Sequence, residues 1–119
     1  MSNVNQSVAA MMSIDGATAA AVVDANSGMV LGKEGSGVNL DLAAADNTEV
    51  VRAKLKTMRS LGLKDHIEDI LISLGNQYHI IRPVSDKPGL FTYLVLDRNK
   101  SNLALARHKV TEIEGTMTV

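Results

Sequence analysis

Apolar positions along the chain fall into eight runs with two different periods. Val4, Val8 and Met11 recur at i, i+4, i+7, which predicts a short helix over 4–12 with one apolar face. Ile14-Asp15-Gly16 ends it, the glycine acting as the stop. Ala17 to Asp24 (ATAAAVVD) reads as a buried strand. Alanine is a weak strand former, so a run of it predicts close packing beneath a helix. Asn26-Ser27-Gly28 signals a turn, and Met29 to Gly32 reads as the returning strand of a hairpin. The glycine-rich stretch Gly32 to Asn39 reads as a loop.

The longest periodic stretch follows, from Leu40 to Gly62, with Asp41 as its expected cap. On a helical wheel Ala44, Val51, Leu55 and Met58 fall on one face, with Ala43, Val50 and Leu61 beside them. Together they span roughly 140–160°, interrupted by Lys54 and Thr57, where a helix docked once needs about 100°. Two readings follow: a helix that touches its own sheet and something else, or a helix unusually well buried in one domain. The opposite side carries Arg52, Lys56 and Arg59 at i, i+4, i+7, a solvated face or a rim for a partner. Gly62 closes the helix, with Arg59 near its negative end.

Asp65, His66, Glu68 and Asp69 then open a strand that turns apolar at Ile70, Leu71, Ile72 and Leu74. Charge along a strand blunts an exposed sheet edge, so this strand is expected at an edge. Tyr78 to Val84 is the next strand, Ser85 to Gly89 (SDKPG) a turn, and Leu90 to Leu96 a nearly all-apolar and therefore central strand. Asn99 or Ser101 caps a final helix whose stripe is Leu103, Ala106, Val110 and Ile113, and Thr116 to Val119 is expected to fray. Short connections imply an antiparallel sheet, and three helices against five strands give a layered α+β domain over 1–119, in the order α-β-β-α-β-β-β-α.

Composition narrows what such a domain does. With 119 residues there is no room for two cores. A net charge of −1 offers no global field for nucleic acid or an acidic membrane, and three aromatic rings, Tyr78, Phe91 and Tyr93, are a thin supply of stacking platforms. Cysteine is absent, which removes disulfides, thiolate catalysis and cysteine metal sites. No apolar run approaches the ~18 residues that span a bilayer, and no basic residue precedes Lys33 to start a secretory signal, so the expected location is the cytoplasm.

The segments AAAVVDANSGMVL (Ala19 to Leu31), NTEVVRAKLKTMRSLGL (Asn47 to Leu63), DHIEDILISLGNQYHIIRP (Asp65 to Pro83) and LVLDRNKSNLALAR (Leu94 to Arg107) together resemble the Roadblock/dynein light chain family, especially its short bacterial members. The likeness covers nearly the whole chain in order and length and contains no chemical motif. It implies a profilin-like sandwich, dimers in which the second helix and third strand meet their counterparts, and a non-enzymatic adaptor that regulates small Ras-like GTPases in motility, polarity or signalling, or holds cargo-binding chains. It supplies no catalytic residue. The wide arc and the charged strand coincide with the two elements the family places at its dimer interface. The expected protein interface is Val50, Arg52, Lys54, Thr57, Leu61, His66, Glu68 and Ile70.

Site chemistry is sparse. His66, His79 and His108 include no i, i+4 pair for a helical metal site. Asp65, Glu68 and Asp69 lack the spacing of a calcium loop. Gly32-Lys33 lacks the phosphate-loop glycine five positions earlier, where Ser27 stands, and no G-x-S-x-G elbow occurs. No cofactor, metal or catalytic residue is expected. The alternative to an adaptor is a sensory or small-ligand module holding its ligand between sheet and helix, against which stands an aliphatic core with few orienting polar groups.

Overall fold

The computed structural model describes residues 3–118. Its elements are α1 (Val4–Met12), β1 (Ala17–Asp24), β2 (Met29–Gly35), α2 (Leu40–Ser60), β3 (Ile70–Ser73), β4 (Gln77–Pro83), β5 (Leu90–Asp97), one turn of 3-10 helix (Arg98–Lys100) and α3 (Leu103–Thr116). This is the α-β-β-α-β-β-β-α order read from the sequence. The five strands form one sheet in the order β2-β1-β5-β4-β3, and every neighbouring pair is antiparallel.

β5 is central because both of its faces are apolar: Phe91, Tyr93 and Val95 point to one side, Leu94 and Leu96 to the other. On the first face α2 packs through Leu40, Ala44 and Val51 against Ala19, Ala21, Val23 and Ile81. On the second, α1 and α3 pack through Val8, Met11, Ala106 and Val110 against Ala20, Val22, Ile80 and Leu94. The alanines of β1 thus lie beneath a helix on both sides, as their poor strand propensity suggested. Each large side chain of these layers contributes about 1.5–3 kcal/mol by leaving water.

Several local expectations are corrected. β2 continues through Lys33 and Glu34 to Gly35, so the loop before α2 is only Ser36 to Asn39. The hydrogen-bonded register Ala21↔Lys33, Ala20↔Glu34 and Ala19↔Gly35 outweighs the low strand propensity of that stretch. Gly35 itself needs its hydrogen: its φ is +99°, and a Cβ there would lie 2.2 Å from the Thr18 carbonyl oxygen. The charged run 65–69 is not strand. β3 begins at Ile70, the first residue with a partner, Ile81, across the ladder. β3 is nonetheless an edge strand, as its charged approach predicted.

The helix caps also differ. Asn39 caps α2, its side chain accepting from Leu42 N at 3.1 Å, while Asp41 in the first turn pairs with Lys33 at 2.8 Å. Asn102 caps α3 by accepting from Leu105 N; Asn99 and Ser101 belong to the 3-10 turn and the link after it, with Asp97 capping that turn. The chain does not fray from Thr116: Met117 is buried in the core, and that burial outweighs the freedom of a terminus. Val119, included in that expectation, lies outside the described residues.

Candidate partner-binding surface

The wide arc of α2 divides in two. Leu40, Ala44, Thr48, Val51 and Met58 are buried, and the Thr48 hydroxyl is satisfied within the helix by the Ala44 carbonyl at 2.7 Å. Val50 and Leu61 are 39% and 66% exposed. Leu55 belongs to the inner face by angle yet is 38% exposed, and it lines a hollow with Val84, Ser85, Pro88 and Gly89 of the β4–β5 turn. The helix stops by backbone chemistry. Leu63 N donates to Met58 O and Gly62 N to Arg59 O, a pattern that needs the left-handed φ of +69° at Gly62.

Beside α2, on its β3 side, Val50, Ala53, Lys54 and Thr57 form one wall of an open groove, and Asp69 and Ile70 form the other. Its volume is about 480 Å³. The strand wall is fixed from behind: Arg107 of α3 holds Asp69 through two hydrogen bonds of 2.9 and 3.0 Å. Pairing a planar guanidinium with both carboxylate oxygens sets geometry as well as charge. Along the outer side of β3, residues 70–73 bond to β4 only, so the edge presents unpaired backbone groups next to the groove.

Four of the eight expected interface residues, Val50, Lys54, Thr57 and Ile70, meet in this groove. Leu61 continues the same flank at the end of the helix. His66 and Glu68 lie in the irregular link before β3, where His66 lines a second hollow of about 530 Å³ with Leu55, Ile67, Pro83 and Leu90. Arg52 is on the other flank. Its guanidinium donates to the Ala25 and Asn26 carbonyls at 2.8 Å each and to Glu49 at 3.1 Å, tying the β1–β2 turn to α2. That turn is itself built locally, Asp24 accepting from Asn26 N and the Ser27 hydroxyl.

Sequence reasoning missed two polar assemblies. The first is the buried pair of Arg82 on β4 with Glu114 on α3, Glu114 also accepting from Ser85 N at 3.1 Å. The second lies on the α2 face of the sheet. The Tyr93 hydroxyl meets His79 Nδ1 at 2.9 Å, and His79 Nε2 meets Gln77 Oε1 at 2.9 Å. Gln77 can only accept through Oε1, so Nε2 carries the ring proton and Nδ1 accepts from the phenol. The two rings stand edge to face with centroids 5.5 Å apart. Burial pushes the His79 pKa down from 6.5. Burial also pushes the Tyr93 phenol up, opposed by the nearby Asn47 side chain of α2. Alternation along β4 and β5 puts residues 77, 79 and 93 on one face, a signal present in the sequence; their register across two strands was not.

The other histidines are solvent-facing: His66 is exposed, and His108 pairs with Glu112 on α3 at 2.9 Å. Among the described residues no three His, Asp or Glu side chains are grouped to hold a metal ion, and no helix is long and apolar enough to cross a membrane.

No protein family and no curated protein matches the chain by sequence. Solved structures match it by shape. A Roadblock/LC7 domain from Streptomyces avermitilis superposes with a TM-score of 0.82 at 12% identity, over 97% of this chain and 94% of that one. The chain has the Roadblock/LC7 fold. MglB of Myxococcus xanthus (TM-score 0.75, 13% identity, 94% of this chain and 85% of that one) and the gliding protein MglB of Thermus thermophilus (0.71, 16%, 92% and 86%) share it. The Roadblock/LC7 fold thus accounts for nearly all of the chain.

Proposed function

We propose that this chain is a cytoplasmic, non-enzymatic adaptor of one domain that works as a homodimer and regulates a small Ras-like GTPase. Each copy lays its α2–β3 groove against the other. Val50, Lys54, Thr57, Leu61 and Ile70 make the contact, with His66 and Glu68 toward its rim, while Arg52 stays on the opposite flank with the β1–β2 turn. The observation that carries this reading is the half-covered arc of α2 beside an open edge strand. A helix flank with Val50 and Leu61 in water next to unpaired backbone groups gains from both apolar burial and strand pairing when a second copy arrives. A stable dimer needs roughly 800 Å² from each partner, and the groove, the flank of α2 and the β3 edge together form a continuous surface for it. The GTPase assignment follows the resemblance of the sequence to the Roadblock family and the likeness of the fold to MglB, one example of which is described as a gliding protein.

The test is direct. Light scattering at micromolar concentration should give about twice the 12.7 kDa chain mass. Immobilised protein should retain a small GTP-binding protein from a lysate of the source cell. A monomer at that concentration sinks the dimer; recovery of no GTPase sinks the partner.

A further inference from the structure

The two flanks of α2 treat their charges differently. Asp41 pairs with Lys33 of β2, and Glu49 pairs with Arg52, which holds the β1–β2 turn. The flank toward the groove runs Ala43, Asp46, Val50, Lys54 and Thr57, each within about 40° of Val50 around the helix axis. Its two charges, Asp46 and Lys54, are exposed, and neither has an ion-pair or hydrogen-bond partner among the described residues. They stand eight residues apart with Val50 midway, beyond the i+3 or i+4 spacing at which charges of one helix pair. Asp69, on the far wall of the groove, is held by Arg107 and does not compete for Lys54.

We propose that Asp46 and Lys54 set the register and the choice of partner in the contact between two copies: the two α2 helices run antiparallel, Val50 meets Val50 at the two-fold axis, and Asp46 of each copy lies beside Lys54 of the other. The inference rests on the reading of the α2–β3 surface as that contact. A two-fold contact is isologous, so if one residue meets a second, the second meets the first. Antiparallel helices that cross at Val50 put on one level the residues equally far from it in opposite directions. Asp46 then faces Lys54 on both sides, about 6 Å along the axis from the two-fold. Ala43 faces Thr57 beyond them, and Val50 closes the centre. With helix axes about 8–10 Å apart, the two charged side chains span the gap.

The same two charges oppose the competing arrangements. Parallel helices in register set Asp46 on Asp46 and Lys54 on Lys54. An antiparallel slide of eight residues one way sets Asp46 on Asp46, and the opposite slide sets Lys54 on Lys54. A slide of four residues sets one of the two opposite Val50, with its counter-charge a turn away. Juxtaposed like charges suppress wrong pairings, so the charges select register while the apolar side chains of the groove supply affinity. The pattern is its own complement, which is why the fitting partner is a second copy of this chain.

The experiment exchanges partners. Lys54→Glu and Asp46→Lys each set like charges against one another twice in their own homodimer, yet the two variants complement each other. Mixed in equal amounts and read by native mass spectrometry, they should form heterodimer to about nine-tenths, where random exchange gives about half. The chain with both substitutions restores the two pairs with signs exchanged, and its dissociation constant should return to within about threefold of the native one. The chain lacks cysteine, so an introduced one reports distance. Val50→Cys should give a disulfide-linked dimer on oxidation, and Asp46→Cys should not, its two copies standing about 12 Å apart along the axis. Random mixing of the two charge variants overturns the register, as does cross-linking at position 46 without cross-linking at position 50. A native chain that stays monomeric at micromolar concentration defeats the dimer reading itself, and the register with it.

Discussion

At the scale of single residues, buried charge sets the largest penalties. Glu114 is 7% exposed and holds Arg82 and Ser85 N together, which joins α3 to β4 and the turn after it. Arg82→Ala leaves that carboxylate without its cation, and unpaired buried charge costs about 3–5 kcal/mol. Urea denaturation should show a loss of that order, with the midpoint moved and the slope unchanged. His79 acts through pH. Its folded pKa is depressed, so the unfolded chain binds the proton first as pH falls. Its contribution to stability is complete above the unfolded value of about 6.5 and is lost as pH drops through the folded one. Thermal melts should show this loss in the native chain, and His79→Gln should remove that part of the pH dependence. Neither site was legible beforehand. Histidine in a strand and glutamate in a late helix turn are ordinary as sequence, and only the register and the docking of α3 supply their partners.

At the scale of elements, α2 is the one that divides its surface between fold and partner. Its inner face could be read from the 3.6-residue period, and the excess width of its arc pointed to a second contact. The structure divides that arc between a docked face and the free flank of Val50 and Leu61. Val50→Glu and Leu61→Glu should therefore leave a folded monomer, seen as a native circular dichroism spectrum with half the native scattering mass. Loss of the fold would place those side chains in the core after all. The basic stripe separates into different jobs. Arg52 anchors the β1–β2 turn, so Arg52→Ala should loosen that turn. Charged hydrogen bonds contribute about 1.5–3 kcal/mol each when shielded. With half of this side chain exposed, a total of about 1 kcal/mol is expected. Faster amide exchange at residues 25–28 is the measurement, and unchanged protection would show the turn to be self-sufficient.

At the scale of the whole molecule, the sheet order β2-β1-β5-β4-β3 places β3 at one edge and lets α2 cover the sheet unevenly. That asymmetry leaves a groove on one side, while α1 and α3 cover the reverse face. Association through the groove should bury mainly apolar area, with exposed charges adding only about 0–1 kcal/mol per pair. The dimer should accordingly resist salt: raising sodium chloride to about 1 M, where the Debye length is about 3 Å, should change its dissociation constant little. A steep loss of the dimer with salt would assign the contact to the charged groups at 52–59 and 65–69.

The sequence alone determined the element order, the central place of β5, the edge place of β3 and the helix-covered alanines of β1, because each follows from the period of apolar positions and the chemistry of turns. It pointed to α2 and the approach to β3 as the outward-facing surface for the same reason. Tertiary structure alone decided that residues 33–35 extend a strand while 65–69 form none, since a ladder needs a partner as well as a propensity. It decided that Arg52 turns inward to a loop, that Asp69 is held by Arg107, and that Tyr93, His79 and Gln77 line up across two strands. Those contacts join residues between 14 and 38 positions apart where they cross elements. Local periodicity carries no information about such pairs; they exist only once the layers have packed.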